Sequence, residues 1–171
     1  MDSKLQGSSE TVVAATPEAV WAILEDSRAN LPRLWPMVKT CEIEGKERVG
    51  AVRTCSVEFM GKSGHTVERC IESVPNRKLA HSVEEDSFGF SRMLSDFWFV
   101  FVLEPTEAGA THVRVESHFD PKGLMGRIMS VLMIKRKFRD IRETALVNLK
   151  ALAEASRRDG AREPDRLPST A

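Results

Sequence analysis

Pro121-Lys122-Gly123-Leu124-Met125-Gly126-Arg127-Ile128-Met129-Ser130-Val131-Leu132-Met133-Ile134-Lys135-Arg136-Lys137-Phe138 opens the stretch that decides the fold. A Pro-Lys-Gly turn leads into one unbroken helical pattern from Leu124 to about Glu154. At 1.5 Å per residue such a helix is roughly 45 Å long. Its second half carries an apolar stripe through Phe138, Ile141, Ala145, Leu149 and Leu152. Its first half is apolar nearly all round, which means burial on several sides or contact with a ligand. Met125, Met129 or Met133 taken singly reads first as a core gap-filler, whereas for the whole run the lining of a cavity is as good a reading as plain core. A long helix after a series of strand-like segments predicts a sheet wrapped around that helix, with a cavity between them.

Working backwards, six strands are expected at about 38–46, 50–60, 65–74, 78–86, 92–104 and 111–119. Short polar punctuation separates them: Glu47-Arg48, Gly61 to Gly64, Pro75-Asn76-Arg77, Ser87-Phe88-Gly89 and Glu107-Ala108-Gly109. Connections this short imply antiparallel hairpins. A first strand is read over Glu10 to Ala15. Thr16-Pro17-Glu18 then starts a helix, with Thr as N-cap, Pro in the first turn and an acid beside it. A second short helix fits Asn30 to Pro36. The reading is α+β, about seven antiparallel strands around a long C-terminal helix, with two short helices after the first strand. One domain is expected over residues 8–155, with disordered tails at 1–7 and 156–171.

Composition removes several functions. Lys+Arg and Asp+Glu each count 25, so no global positive field draws nucleic acid or an acidic membrane. No apolar run is long enough for a bilayer, and the N-terminus lacks a signal-peptide core. Cys41, Cys55 and Cys70 are odd in number and form no CxxC pair, which reads as free thiols in a reducing cytoplasm. No Gly-rich phosphate loop and no HExxH occur, and the four histidines lack metal-ligand spacing, so neither cofactor nor metal is expected. Tyrosine is absent altogether, which excludes a tyrosine acid or base.

Turn centres fix a register, and directly paired residues share a face. Cys41 then falls opposite Cys55, Cys55 opposite Cys70, Cys70 opposite Val83 and Glu72 opposite His81. His81 falls near Phe97, and Phe99 near Ser117. The helix-facing set includes Cys41, Ile43, Cys55, Val57, Phe59, Cys70, Val74, Leu79, Val83, Phe97, Phe99, Phe101, Leu103, Val113, Val115 and Phe119. Four polar residues share that face: Arg53, Glu68, Glu72 and His81. Arg53, Glu72 and His81 form one row. That row is either a polar anchor for a ligand carboxylate, hydroxyl or keto group, or an ion-paired rim touching water. Trp98, Val100 and Val102 fall on the outer face, either as a homodimer patch or as shielded strand formers.

Three motifs now resemble one family. Thr16-Pro17-Glu18-Ala19-Val20-Trp21, Pro75-Asn76-Arg77-Lys78-Leu79 and Asn148-Leu149-Lys150-Ala151-Leu152-Ala153-Glu154 are similar, in this order, to the START-like superfamily of polyketide cyclases/dehydrases and lipid-transport proteins. The resemblance implies the helix-grip fold and a small apolar ligand such as a lipid or polyketide. It carries no universal catalytic residue. The expected ligand-binding set is Arg53, Cys55, Phe59, Cys70, Glu72, His81, Phe97, Phe99, Phe101, Val115, Ser117, Met125, Met129 and Met133. If the chain is a cyclase or dehydratase, His81 with Glu72 is the inner pair available for acid–base chemistry. A third alternative is an interaction module using Trp98 or the basic segment Lys135-Arg136-Lys137.

Overall fold

Alternation of buried and exposed residues, clearest over 52–59 and 111–119, helps build the sheet seen in the computed structural model, which describes residues 3–129 and 134–162. Strands β1 (Leu5–Val13), β2 (Val38–Ile43), β3 (Val52–Phe59), β4 (Lys62–Val74), β5 (Lys78–Asp86), β6 (Leu94–Pro105) and β7 (Thr111–Pro121) form one antiparallel sheet. Its order is β1-β7-β6-β5-β4-β3-β2. Helices α1 (Pro17–Glu25) and α2 (Ser27–Leu34) follow β1, and a single turn, α3 (Phe90–Met93), precedes β6. Helices α4 (Gly123–Met129) and α5 (Lys135–Arg162) end the described chain. The helix-grip architecture expected from the sequence is the one observed.

Local signals explain the helix starts. The Thr16 hydroxyl accepts the Ala19 N–H at 3.4 Å, with Pro17 in the first turn. Asp26 ends α1 and caps α2 by accepting the Ala29 N–H at 3.2 Å. α2 therefore starts at Ser27, three residues before the expected Asn30.

The core lies between the inner sheet face and α5. Cys41, Cys55, Val57, Leu79, Phe101, Leu103, Val113 and Val115 pack there against Ala145, Leu146, Leu149 and Ala153. A second cluster joins Phe90, Leu94, Phe119, Ile134 and Phe138. Among the described residues no helix is long and apolar enough to cross a membrane. Lys150 and Glu154 of α5 reach across to the end of β1. The Lys150 ammonium donates to the Val12 carbonyl at 2.9 Å, and the Ala14 N–H donates to Glu154 at 3.1 Å.

Several expectations are corrected. β1 begins at Leu5, so residues 5–7 belong to the sheet rather than to a tail. α5 runs on to Arg162, so the chain does not fray at Ser156. The expected single helix from Leu124 is described as two helices, with residues 130–133 outside the described ones. Leu124 and Ile128 are exposed.

The register is right in parity except beyond Cys70 in β4, where Glu72 and Val74 fall on the outer face, and several exact partners differ. Cys41 faces Cys55 and Phe99 faces Ser117, as expected. Cys55 faces Thr66, not Cys70, because β3 and β4 are joined by a two-residue turn at Met60-Gly61. Both turn residues have positive φ, 52° and 75°, the geometry that matches strand twist in a tight hairpin. The slip is by an even number of residues, so every side chain keeps its face. The turn at 75–77 sets Glu72 against Ala80, a bulge at Ile71 then sets Cys70 against His81, and His81 faces Phe99 rather than Phe97. Beyond the bulge, Val74 is exposed.

The free-thiol expectation fails for two of three cysteines. Cys41 and Cys55, with Cα atoms 4.1 Å apart on β2 and β3, are joined by a disulfide. Cys70 is free and buried. The cysteine argument for a reducing cytoplasm therefore lapses. Trp98 is not an open patch either. Its indole donates to Ser3 Oγ at 2.8 Å, and its ring stacks on His118 at 3.8 Å.

Candidate functional site

Arg53 on β3 is 2 % exposed and stands between two buried carboxylates. Its Nη1 lies 2.6 Å from Glu47, and its Nε and Nη2 lie 2.8 and 2.7 Å from one oxygen of Glu68. Thr66 Oγ1 donates to the other Glu68 oxygen at 3.0 Å. Ser27, at the start of α2, accepts from Arg53 at 3.1 Å and donates to Glu47. His81 Nε2 meets the second Glu47 oxygen at 2.7 Å. Glu47 reaches inside because its loop folds back over β4: Gly50 donates to the Cys70 carbonyl, and the Cys70 N–H to Ala51.

The expected acid–base pair is thereby corrected. Glu72 is half-exposed and pairs with Lys78 at 2.8 Å. The acid beside His81 is Glu47, which sequence reading treated as turn punctuation. Arg53 is also no free anchor, since Glu47 and Glu68 already neutralise it.

Electrostatics fix the protonation of the pair. Burial pushes the Glu47 carboxyl up, but the His81 hydrogen bond and the Arg53 charge outweigh it and hold the pKa at about 2. Burial, helped by the Arg53 charge, pulls His81 below its ordinary value despite Glu47. With Glu47 ionised and His81 neutral, Nε2 carries the proton and donates. Nδ1 is then a buried lone pair with no hydrogen-bond partner among the described residues.

These shifts predict acid sensitivity. Glu47 is depressed from 4.5, so its contribution is complete above pH 4.5 and is lost as pH falls towards 2. His81 stays neutral in the fold while the unfolded chain takes up a proton below about 6.5. Both make the unfolded state the more protonated. Stability should decline from pH 6.5 downwards and more steeply below 4.5, Glu47 accounting for about 3 kcal/mol in all. Urea midpoints between pH 7 and 4 check this, and a flat series would mean that solvent reaches the pair.

Glu47, Cys70 and His81 also bring three donor atoms within 4.8 Å of one another, although no metal site is expected from the sequence. A cation there would have to part His81 from Glu47 and stand beside Arg53. It would also need Cys70 as thiolate, whereas burial and the Glu47 charge push that thiol up to about 11. The three residues do not fit a resident metal.

An aromatic cavity of about 90 Å³ lies on the other side of Phe99. Trp35, Phe90, Phe97, Phe99 and Phe138 supply most of its apolar wall. Phe99 is stacked on His81, with ring centres 5.7 Å apart, and lies 5.8 Å below the Arg53 guanidinium. It also lines a much smaller space of about 10 Å³ shared with His81, Ser27 and Phe101. Phe99 thus separates the imidazole from the cavity.

Of the expected ligand-binding residues, Arg53, Phe97, Phe99 and Ser117 line the aromatic cavity. Phe101 and His81 line the small space behind it. Phe59 lines an adjoining opening of about 220 Å³ between β3 and α5. Cys55 is in the disulfide, and Cys70 and Val115 are packed in the core. The side chains of Met125 and Met129, and the whole of Met133, lie outside the described residues. Glu47, Ser27, Phe138 and Arg142 were missed. Arg142 carried a signal: it sits four residues after Phe138, inside the apolar stripe.

The sequence matches the family model described as "Polyketide cyclase / dehydrase and lipid transport" over residues 5–154. The chain belongs to this family. No curated protein sequence matches it. Several solved structures share the fold of this family member. A START superfamily protein from Mycobacterium smegmatis is 20% identical, with TM-score 0.67, covering 88% of this chain and 97% of that one. The Zhui aromatase/cyclase from Streptomyces sp. R1128 is 16% identical, with TM-score 0.71 and coverages of 90% and 96%. Norcoclaurine synthase from Thalictrum flavum, in complex with dopamine and hydroxybenzaldehyde, is 16% identical, with TM-score 0.68 and coverages of 90% and 87%.

Proposed function

We propose that this family member binds a small apolar molecule in the cavity between the sheet and α5 and releases it unchanged. The observation that carries the reading is the position of Phe99. It leaves an aromatic cavity on one side and closes the one acid–base pair of the inner face, His81–Glu47, behind it. Apolar contact then supplies most of the affinity, and polar wall groups orient the ligand. Native mass spectrometry of the protein purified from its own host tests the proposal. A retained apolar molecule, unchanged on long incubation, is the expected result.

One observation favours a cyclase- or dehydratase-type enzyme as the second reading. Neutral His81 keeps an unpartnered Nδ1 lone pair, which a general base requires. In that case His81→Ala should leave ligand affinity nearly unchanged and lower turnover by about 100- to 10,000-fold. Conversion of the retained molecule by the wild-type protein, lost in this variant, would replace the carrier reading.

A further inference from the structure

The cavity holds a second arginine, and this one makes no ion pair among the described residues. Arg142 on α5 is 5 % exposed. Its Nη1 donates to Ser117 Oγ at 3.1 Å, and its Nε has no hydrogen-bond partner among the described residues. No carboxylate lies within 4 Å of its guanidinium among the described residues. Its situation is the opposite of Arg53, whose two carboxylates leave nothing to bind. A buried cation held by one hydroxyl is costly, and burial pulls its pKa below the ordinary value. The fold nevertheless makes room for it. A Cβ on Gly7 of β1 would stand 2.6 Å from Arg142 Nη2, so the guanidinium occupies a seat that a larger residue would fill.

The seat lies in the wall between two spaces. Inward, Arg142 and Ser117 line the aromatic cavity beside Phe97, Phe99 and Phe138. Outward, Arg142 closes a surface groove with Gly7, Lys135, Arg136 and Arg139. Lys135 and Arg136 are exposed and give the groove a positive potential that attracts anions. Ser117 and His81 flank Phe99 in the sheet register, so that ring stands between the Arg142–Ser117 pair and His81, while Arg53, Thr66 and Glu68 of the ion cluster line the same cavity as Arg142.

We infer that Arg142 and Ser117 form the carboxylate subsite of the cavity, and that the ligand is an apolar organic acid. Its hydrocarbon or aromatic body lies among Phe97, Phe99 and Phe138, and its carboxylate accepts from the Arg142 Nε–H and Ser117 Oγ–H. This assignment rests on the ligand-binding reading above and specifies the class of ligand. A planar fork of donors is the geometry that recognises a carboxylate.

The test compares acids with their uncharged amides on the full chain: naphthalene-2-carboxylate against naphthalene-2-carboxamide, and decanoate against decanamide. Calorimetric titration should give at least one acid about 10- to 100-fold tighter than its amide. Arg142→Met should remove that preference while leaving amide binding within a few-fold. Without ligand, the same variant should melt no lower than wild type, because it removes an uncompensated buried charge. Acid should raise the melting temperature of the wild type and not of Arg142→Met. Acid and amide binding equally to the wild type would overturn the subsite while the cavity reading stands, and this comparison needs no variant. A neutral molecule retained in native mass spectrometry would do the same. Failure of all four probes to bind would count against the cavity reading itself.

Discussion

Arg53→Met should destabilise the fold by roughly 3–5 kcal/mol, the cost of breaking a buried ion network from one side. Arg53 is the only cation between Glu47 and Glu68, and all three are at most about a tenth exposed. Removing it leaves two carboxylates with Ser27, Thr66 and His81 as their remaining partners. They must ionise unpaired in a low dielectric or take up protons, and either outcome favours the unfolded chain at neutral pH. Urea denaturation of wild type and variant at pH 7 measures the effect. The triple change Arg53→Met, Glu47→Gln, Glu68→Gln should recover part of it, since polar groups without charge are cheaper to bury. A loss under about 1 kcal/mol would mean that water solvates the cluster, and that the network is a rim rather than an interior feature.

Phe119→Ala should cost a similar amount, roughly 3–5 kcal/mol, for a different reason. Phe119 is fully buried and meets Phe97 and Phe138 edge-on, with ring centres 6.0 and 5.8 Å away. Both of those rings line the cavity. The space left by Phe119 would therefore adjoin existing empty volume and cannot close by a small shift of one neighbour. An apolar guest such as benzene should recover stability in the variant more than it stabilises wild type. Thermal melting with and without benzene distinguishes the outcomes. A small loss with no benzene effect would show that α5 settles inwards and closes the gap.

Much of this architecture is written in local pattern. Parity along β3, β6 and β7 places Cys55, Phe99, Phe101, Val113 and Phe119 correctly, because period-two alternation survives any even slip in register. Exact partners are a different matter. A positive-φ turn at Met60-Gly61 and a bulge at Ile71 move Cys70 and Glu72 against new neighbours, and neither has a strong sequence mark. The candidate site suffered most from that. Glu72 shares the expected row with His81 yet ends beside Lys78, whereas Glu47 enters from a loop whose path depends on backbone bonds to β4. The disulfide is similar. Register already placed Cys41 opposite Cys55, but an odd cysteine count argued for free thiols, and composition was given more weight than proximity. Arg142 was legible and passed over: a cation at an inward position of an amphipathic helix is itself a signal.

The pair Lys150 and Glu154 has a consequence for the protein in a crowded solution. A sheet that curls around a helix without closing keeps two free borders, here β1 and β2. Such borders can template a foreign strand, and intermolecular β pairing begins there. At β1 the ammonium of Lys150 occupies the carbonyl of Val12, and Glu154 occupies the N–H of Ala14. A visiting chain would have to displace both before it could add to this end of the strand. The helix that walls the cavity therefore also blocks strand addition at this end of β1.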